Sequence, residues 1–122
     1  MPSLFLVMSG GALGAGARYL VGRLLAAVTG TGFPWGTLAV NLSGGLLMGL
    51  LVGSLARGDG GEGARLFLGV GVLGGFTTFS AFALDAVTLW RDAPLSALGY
   101  SVASVVGTIL LLPVGLWMAR SV

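Results

Sequence analysis

Four apolar stretches, each as long as a lipid bilayer is thick, leave this chain few ways to fold: about Leu4 to Val28, Trp35 to Leu55, Leu66 to Trp90 and Leu95 to Met118. A helix needs about 20 residues to cross a hydrocarbon core roughly 30 Å thick. Backbone groups in lipid find partners only inside helices or closed barrels, and predominantly apolar stretches of this length read as helices. The expectation is one all-α integral membrane domain, residues 1–122, with four transmembrane helices and membrane lipid as its solvent. The opening segment, Met1 to Val7, has no basic leader and no cleavage pattern after it, so it reads as part of a retained first helix.

Chain breakers fall where the spans should end. They are Thr29-Gly30-Thr31-Gly32 with Pro34, then Arg57-Gly58-Asp59-Gly60-Gly61-Glu62-Gly63, then Arg91-Asp92-Ala93-Pro94. The sequence holds no cysteine and no histidine, which removes the usual zinc ligands, thiol chemistry and the commonest general base. It does not read as an enzyme. Its cations are six arginines with no run among them, so no nucleic-acid patch is expected.

Loop arginines normally set orientation. Arg57, Arg65 and Arg120 fall on one side, and Arg23, Arg91 and a snorkelling Arg18 on the other. This balance predicts insertion in both orientations and an antiparallel pair of copies, an expectation that tags reporting a single orientation in cells would overturn.

Most of the 23 glycines lie inside the spans rather than in loops, where small residues let helix backbones approach closely. Gly45, Gly49 and Gly53 continue the four-residue stripe begun at Asn41, so one face of the second helix is flat. Gly69-Val70-Gly71-Val72-Leu73-Gly74 fits a dinucleotide fingerprint, but no strand precedes it and it lies within a span, so nucleotide binding is not expected.

Gly74-Gly75-Phe76-Thr77-Thr78-Phe79-Ser80-Ala81-Phe82 is unusual content for the middle of a membrane helix. Either the helix breaks and frees carbonyls that a dehydrated cation can satisfy, or it continues with its glycines packed and its hydroxyls bonded to their own turn. Phe76, Phe79 and Phe82 are either ordinary packing or present positive ring edges to an anion. Asn41 is either an anion donor or helix–helix glue. Tyr100, Ser104 and Thr108 share one face of the fourth helix. Arg18 either attracts anions at a vestibule or pairs with a carboxylate such as Asp85, the only acid well inside a span.

Three segments together, Gly10-Gly11-Ala12-Leu13-Gly14-Ala15-Gly16-Ala17-Arg18-Tyr19, Gly36-Thr37-Leu38-Ala39-Val40-Asn41-Leu42 and Gly74 to Phe82, resemble the CrcB or Fluc family of bacterial fluoride channels along nearly the whole chain. The resemblance implies a passive, fluoride-selective channel of the bacterial inner membrane, an antiparallel dual-topology homodimer with its third helix broken near the middle. It implies a structural sodium at the dimer centre, held by the carbonyls of Gly74 and Thr77 from each copy. It places Asn41, Phe79 and Phe82 against fluoride, with Ser80, Thr78, Ser104 and Thr108 in a polar track, and leaves Arg18 and Asp85 to vestibule or packing roles. Ala81 departs from the threonine often found there, so Thr78 or Thr108 would have to replace its hydroxyl. Two rivals explain less. Small four-helix multidrug exporters need an acid in the first helix, and none occurs between Met1 and Arg57. A non-conducting helix-packing protein leaves the Phe and hydroxyl pattern without a use.

Overall fold

The computed structural model describes residues 1–58 and 60–121; Asp59 and Val122 lie outside them. Among the described residues, four helical spans are long and apolar enough to cross a membrane, and there is no strand. The first two are α1 (Pro2–Thr29) and α2 (Trp35–Ala56). The third span (Glu62–Asp92) is composite: α3 (Glu62–Ala64), wider π-type turns over Arg65–Leu73, α4 (Gly74–Phe76) and α5 (Phe79–Asp92). The fourth is α6 (Pro94–Ser121).

The helices overrun the apolar stretches by up to four residues, because the third starts at Glu62 rather than Leu66. The added residues include Glu62, Arg65, Arg91, Asp92 and Arg120, which are helical and exposed, as charged residues at the interfacial end of a span would be. Hydropathy reports only the hydrocarbon part of such a helix. Pro2 and Pro94 each open a helix, where a missing N–H goes unmissed. Gly30 ends α1 at φ 82°, a left-handed conformation that glycine adopts without strain, and its N–H donates to the Ala26 carbonyl at 2.8 Å.

Two glycine stripes set the packing. Gly45, Gly49 and Gly53 of α2 receive α6: a Cβ at Gly45 would sit 2.8 Å from Thr108 Cγ2, and one at Gly53 would sit 2.6 Å from Ala119 Cβ. A Cβ at Gly49 would overlap the Leu112 carbonyl oxygen. On α1 the positions are Gly10, Gly14 and, at the same spacing, Arg18. A Cβ at Gly14 would overlap the Val72 carbonyl and lie 2.8 Å from the Phe76 nitrogen, so the third span rests directly on α1. Between α2, α5 and α6 a small core forms from Leu38, Phe82 and Tyr100, flanked by Phe33, Leu42, Ala86 and Leu89.

Gly49→Ala should therefore lower the thermal unfolding midpoint of the protein in detergent, since an extra methyl group in a filled seam costs about 1–3 kcal/mol. Gly16, with nothing within 4 Å of its would-be Cβ, is the matched control. Gly16→Ala should hold or raise the midpoint through better helix propensity. Equal falls in both variants would remove the glycine stripe as the α2–α6 seam.

Candidate functional site

Thr77 (φ −84°, ψ 155°) and Thr78 (φ −152°, ψ 119°) are extended, so helical geometry stops after Phe76 and resumes at Phe79. In a continuous helix each N–H donates to the carbonyl four residues back. Here the Thr78 N–H, which such a helix would give to Gly74, donates to Asn41 Oδ1 at 2.8 Å. The Ala81 N–H, which it would give to Thr77, donates to Thr78 Oγ1 at 3.1 Å, an N-cap for α5. Gly74 and Thr77 thus keep carbonyls that the helix does not use. The Gly75 carbonyl accepts from Arg18 Nε at 3.2 Å.

Asn41 returns a second bond, Nδ2 to the Thr78 carbonyl at 3.0 Å. The two bonds imitate one rung of a β-ladder and fix which way the amide faces, because the Thr78 N–H needs an acceptor opposite it. One Asn41 N–H is committed to this clamp and the other is left over. Asn41 is therefore held to the third span, and what it can offer a ligand is one donor, not two.

Beside the interruption lies an open groove of ≈ 390 Å³. Asn41, Thr77, Thr78, Phe79, Phe82, Ser104 and Thr108 all line it, together with Met48, Gly44 and Gly45, and no charged residue does. Ser104 and Thr108 present buried hydroxyl oxygens with no hydrogen-bond partner among the described residues. Orphaned buried hydroxyls are costly, and they are commonest where a ligand or water completes them. Phe79 and Phe82 lie 5.4 Å apart with rings tilted 44°, and Phe82 lies 5.3 Å from Tyr100. Phe82 is buried, whereas Phe79 is 76% exposed and forms the open edge of the groove.

The remaining candidates sit elsewhere. Ser80 is exposed, does not line the groove, and has its Oγ 3.4 Å from Thr78 Oγ1. Arg18 and Asp85 do not pair: Arg18 reaches Gly75 instead, and Asp85 accepts from the Tyr100 hydroxyl at 3.2 Å. The one ion pair among the described residues joins Arg65 to Glu62 at the surface. Arg18 borders a second cavity of ≈ 410 Å³ with Arg23, Thr37, Thr78 and Ala81. Asp85 borders a third, ≈ 240 Å³, which shares Thr37. Thr37 and Met48 were not singled out from sequence, although Thr37 lies one helical turn before Asn41, on the same face.

Cation chemistry is limited by the donor set. Among the described residues no group of three His, Cys, Asp or Glu is placed to hold a metal ion, so the oxygens available to a cation at the interruption are backbone carbonyls and the hydroxyl and amide oxygens beside them. The freed Gly74 and Thr77 carbonyls are hard oxygen ligands of that kind.

The sequence matches the family described as CrcB-like protein, Camphor Resistance (CrcB), over residues 5–116. A Sphingopyxis alaskensis protein named fluoride-specific ion channel FluC is 57% identical over 122 residues, covering 98% of this chain and 97% of its own. Proteins of the same name from Chelativorans sp. and Mesorhizobium japonicum are 56% and 51% identical, covering 100% and 99% of this chain and 99% and 98% of their own.

Proposed function

The chain belongs to the CrcB-like family, and from that premise we propose that it is a fluoride-selective passive ion channel that lets cytoplasmic fluoride leave the cell. The observation that carries the reading is the uncharged groove lined together by Asn41, by the Phe79 and Phe82 rings and by Ser104 and Thr108, whose hydroxyl oxygens are buried without a partner among the described residues. Fluoride is small and holds its water tightly. A path must replace that water with many oriented donors, none strong enough to trap the ion. Neutral hydroxyls, one amide N–H and positive ring edges meet that requirement, and a fixed carboxylate in the groove would not.

The working unit in this reading is an antiparallel homodimer in the bacterial inner membrane. Its support is the groove itself, which is open, and Phe79, which lines it and stays exposed in the single chain; the arginines do not add to it, since with Arg18 bound to Gly75 they divide three to two between the sides. A second copy placed there would close each groove into a pore. The interruption of the third span would lie at the centre of the pair, where Gly74 and Thr77 of both copies would hold a structural sodium. A bound sodium would supply a fixed positive charge and join the two copies. What this chain contributes is the carbonyl set, made available because Asn41 and the Thr78 hydroxyl take the N–H groups that would otherwise occupy it.

Purified protein in liposomes loaded with potassium fluoride should release fluoride to an electrode once a potassium ionophore clears the charge, and should not release chloride under the same gradient. Equal rates for the two anions, or no release of either, would overturn the reading.

A further inference from the structure

We propose that Arg18 is a positioning residue: its Nε–H tethers the Gly75 carbonyl to α1 and so keeps the neighbouring Gly74 and Thr77 carbonyls arranged for a cation. The inference deepens the sodium reading above and rests on it. The interruption releases adjacent carbonyls at Gly74 and Gly75, and nothing in the chain's own helix distinguishes them. Arg18 does, because its guanidinium takes Gly75 at 3.2 Å across 57 residues of sequence. The register of α1 points it there: Gly10, Gly14 and Arg18 fall four residues apart on the face that carries the third span. Gly75 also sits against α1, since a Cβ on it would lie 2.5 Å from the Gly11 carbonyl and 3.2 Å from the Ala15 nitrogen.

An arginine at membrane depth is expensive and ordinarily pairs with an acid. Arg18 has no carboxylate within ion-pair distance among the described residues, and Asp85 is engaged by Tyr100. Its one hydrogen-bonded partner is the carbonyl that would otherwise be left unsatisfied. Asn41 from α2 and Arg18 from α1 therefore hold the interruption from two helices, at Thr78 and at Gly75 respectively.

The test separates the tether from the charge. In Arg18→Gln the side-chain nitrogen is the same number of bonds from the backbone as Arg Nε, so the N–H donor stays and the charge goes. In Arg18→Met both go at similar length. Two measurements on the purified protein are informative: the sodium concentration that half-maximally raises the unfolding midpoint against N-methylglucamine, and amide exchange at Thr77 and Thr78. Arg18→Gln should stay near wild type in both. Arg18→Met should need about ten-fold more sodium and exchange about ten-fold faster, the factor for one hydrogen bond. If Gln and Met are impaired alike, the tether is overturned and the charge is what matters; if both match wild type, the tether is overturned and neither property of Arg18 is needed. If wild type itself shows no sodium response, the sodium reading fails, and exchange alone judges the tether: fast in Met with slow in Gln upholds it. Should Arg18→Met not fold, wild-type exchange in Arg18→Gln upholds the tether, and faster exchange overturns it.

Discussion

Asn41→Asp should abolish fluoride efflux from liposomes while the purified protein keeps its elution volume. The substitution preserves shape and changes two things at one point. A carboxylate still accepts from the Thr78 N–H, but it has no hydrogen for the Thr78 carbonyl, which Asn41 Nδ2 reaches at 3.0 Å. It also places a fixed negative charge in a groove that otherwise has none. At about 5 Å and an effective dielectric constant near 20, like charges repel by about 3 kcal/mol, which is more than a hundred-fold in rate. The fold should persist, because α2 is joined to α6 through Gly45, Gly49 and Gly53, one to three turns beyond Asn41. Efflux at the wild-type rate in Asn41→Asp would take this residue out of the ion's path.

The four spans were legible in the sequence because the bilayer imposes a length and a polarity that a local window can read. Their ends were less so. Glu62 and Asp92 are helical but charged, and hydropathy treats an interfacial turn of helix as loop. The polar residues of the groove were also legible. Asn41, Ser104 and Thr108 stand out against apolar neighbours, and the four-residue spacing of Ser104 and Thr108 puts them on one face.

Partners across the fold were not legible. Sequence leaves Asn41 between an anion donor and helix–helix glue; the structure engages it with the backbone of Thr78, 37 residues away, a partner that no local pattern encodes. Arg18 and Asp85 read as natural partners by charge alone. Coulomb attraction loses here because Gly75 and Tyr100 lie closer to each of them and also need hydrogen bonds. The two alternatives left open for the Gly74 to Phe82 segment differ in where its N–H groups go; here the Thr78 N–H donates to Asn41 and the Ala81 N–H to the Thr78 hydroxyl, partners that the segment's own sequence does not name.

Phe82→Ile should slow fluoride efflux by up to about ten-fold, since one oriented aromatic contact is worth at most about 1.5 kcal/mol. The variant keeps an apolar, similarly bulky side chain in the core shared with Leu38 and Tyr100, so its cost in folding should stay under about 1.5 kcal/mol. Stability and flux therefore separate at this position. Isoleucine fills the space but has no quadrupole, and an anion at the groove loses the positive ring edge that replaced part of its water. Phe82→Tyr keeps the ring and should retain more flux than Phe82→Ile. Phe79→Ile makes the complementary case: Phe79 is 76% exposed in the single chain, so the substitution removes little packing within it. Slow efflux in both isoleucine variants, with unfolding midpoints near wild type, would assign the ring pair to ion passage. Wild-type efflux in both would return the two phenylalanines to ordinary packing, and the hydroxyls of Ser104 and Thr108 would then have to carry fluoride without them.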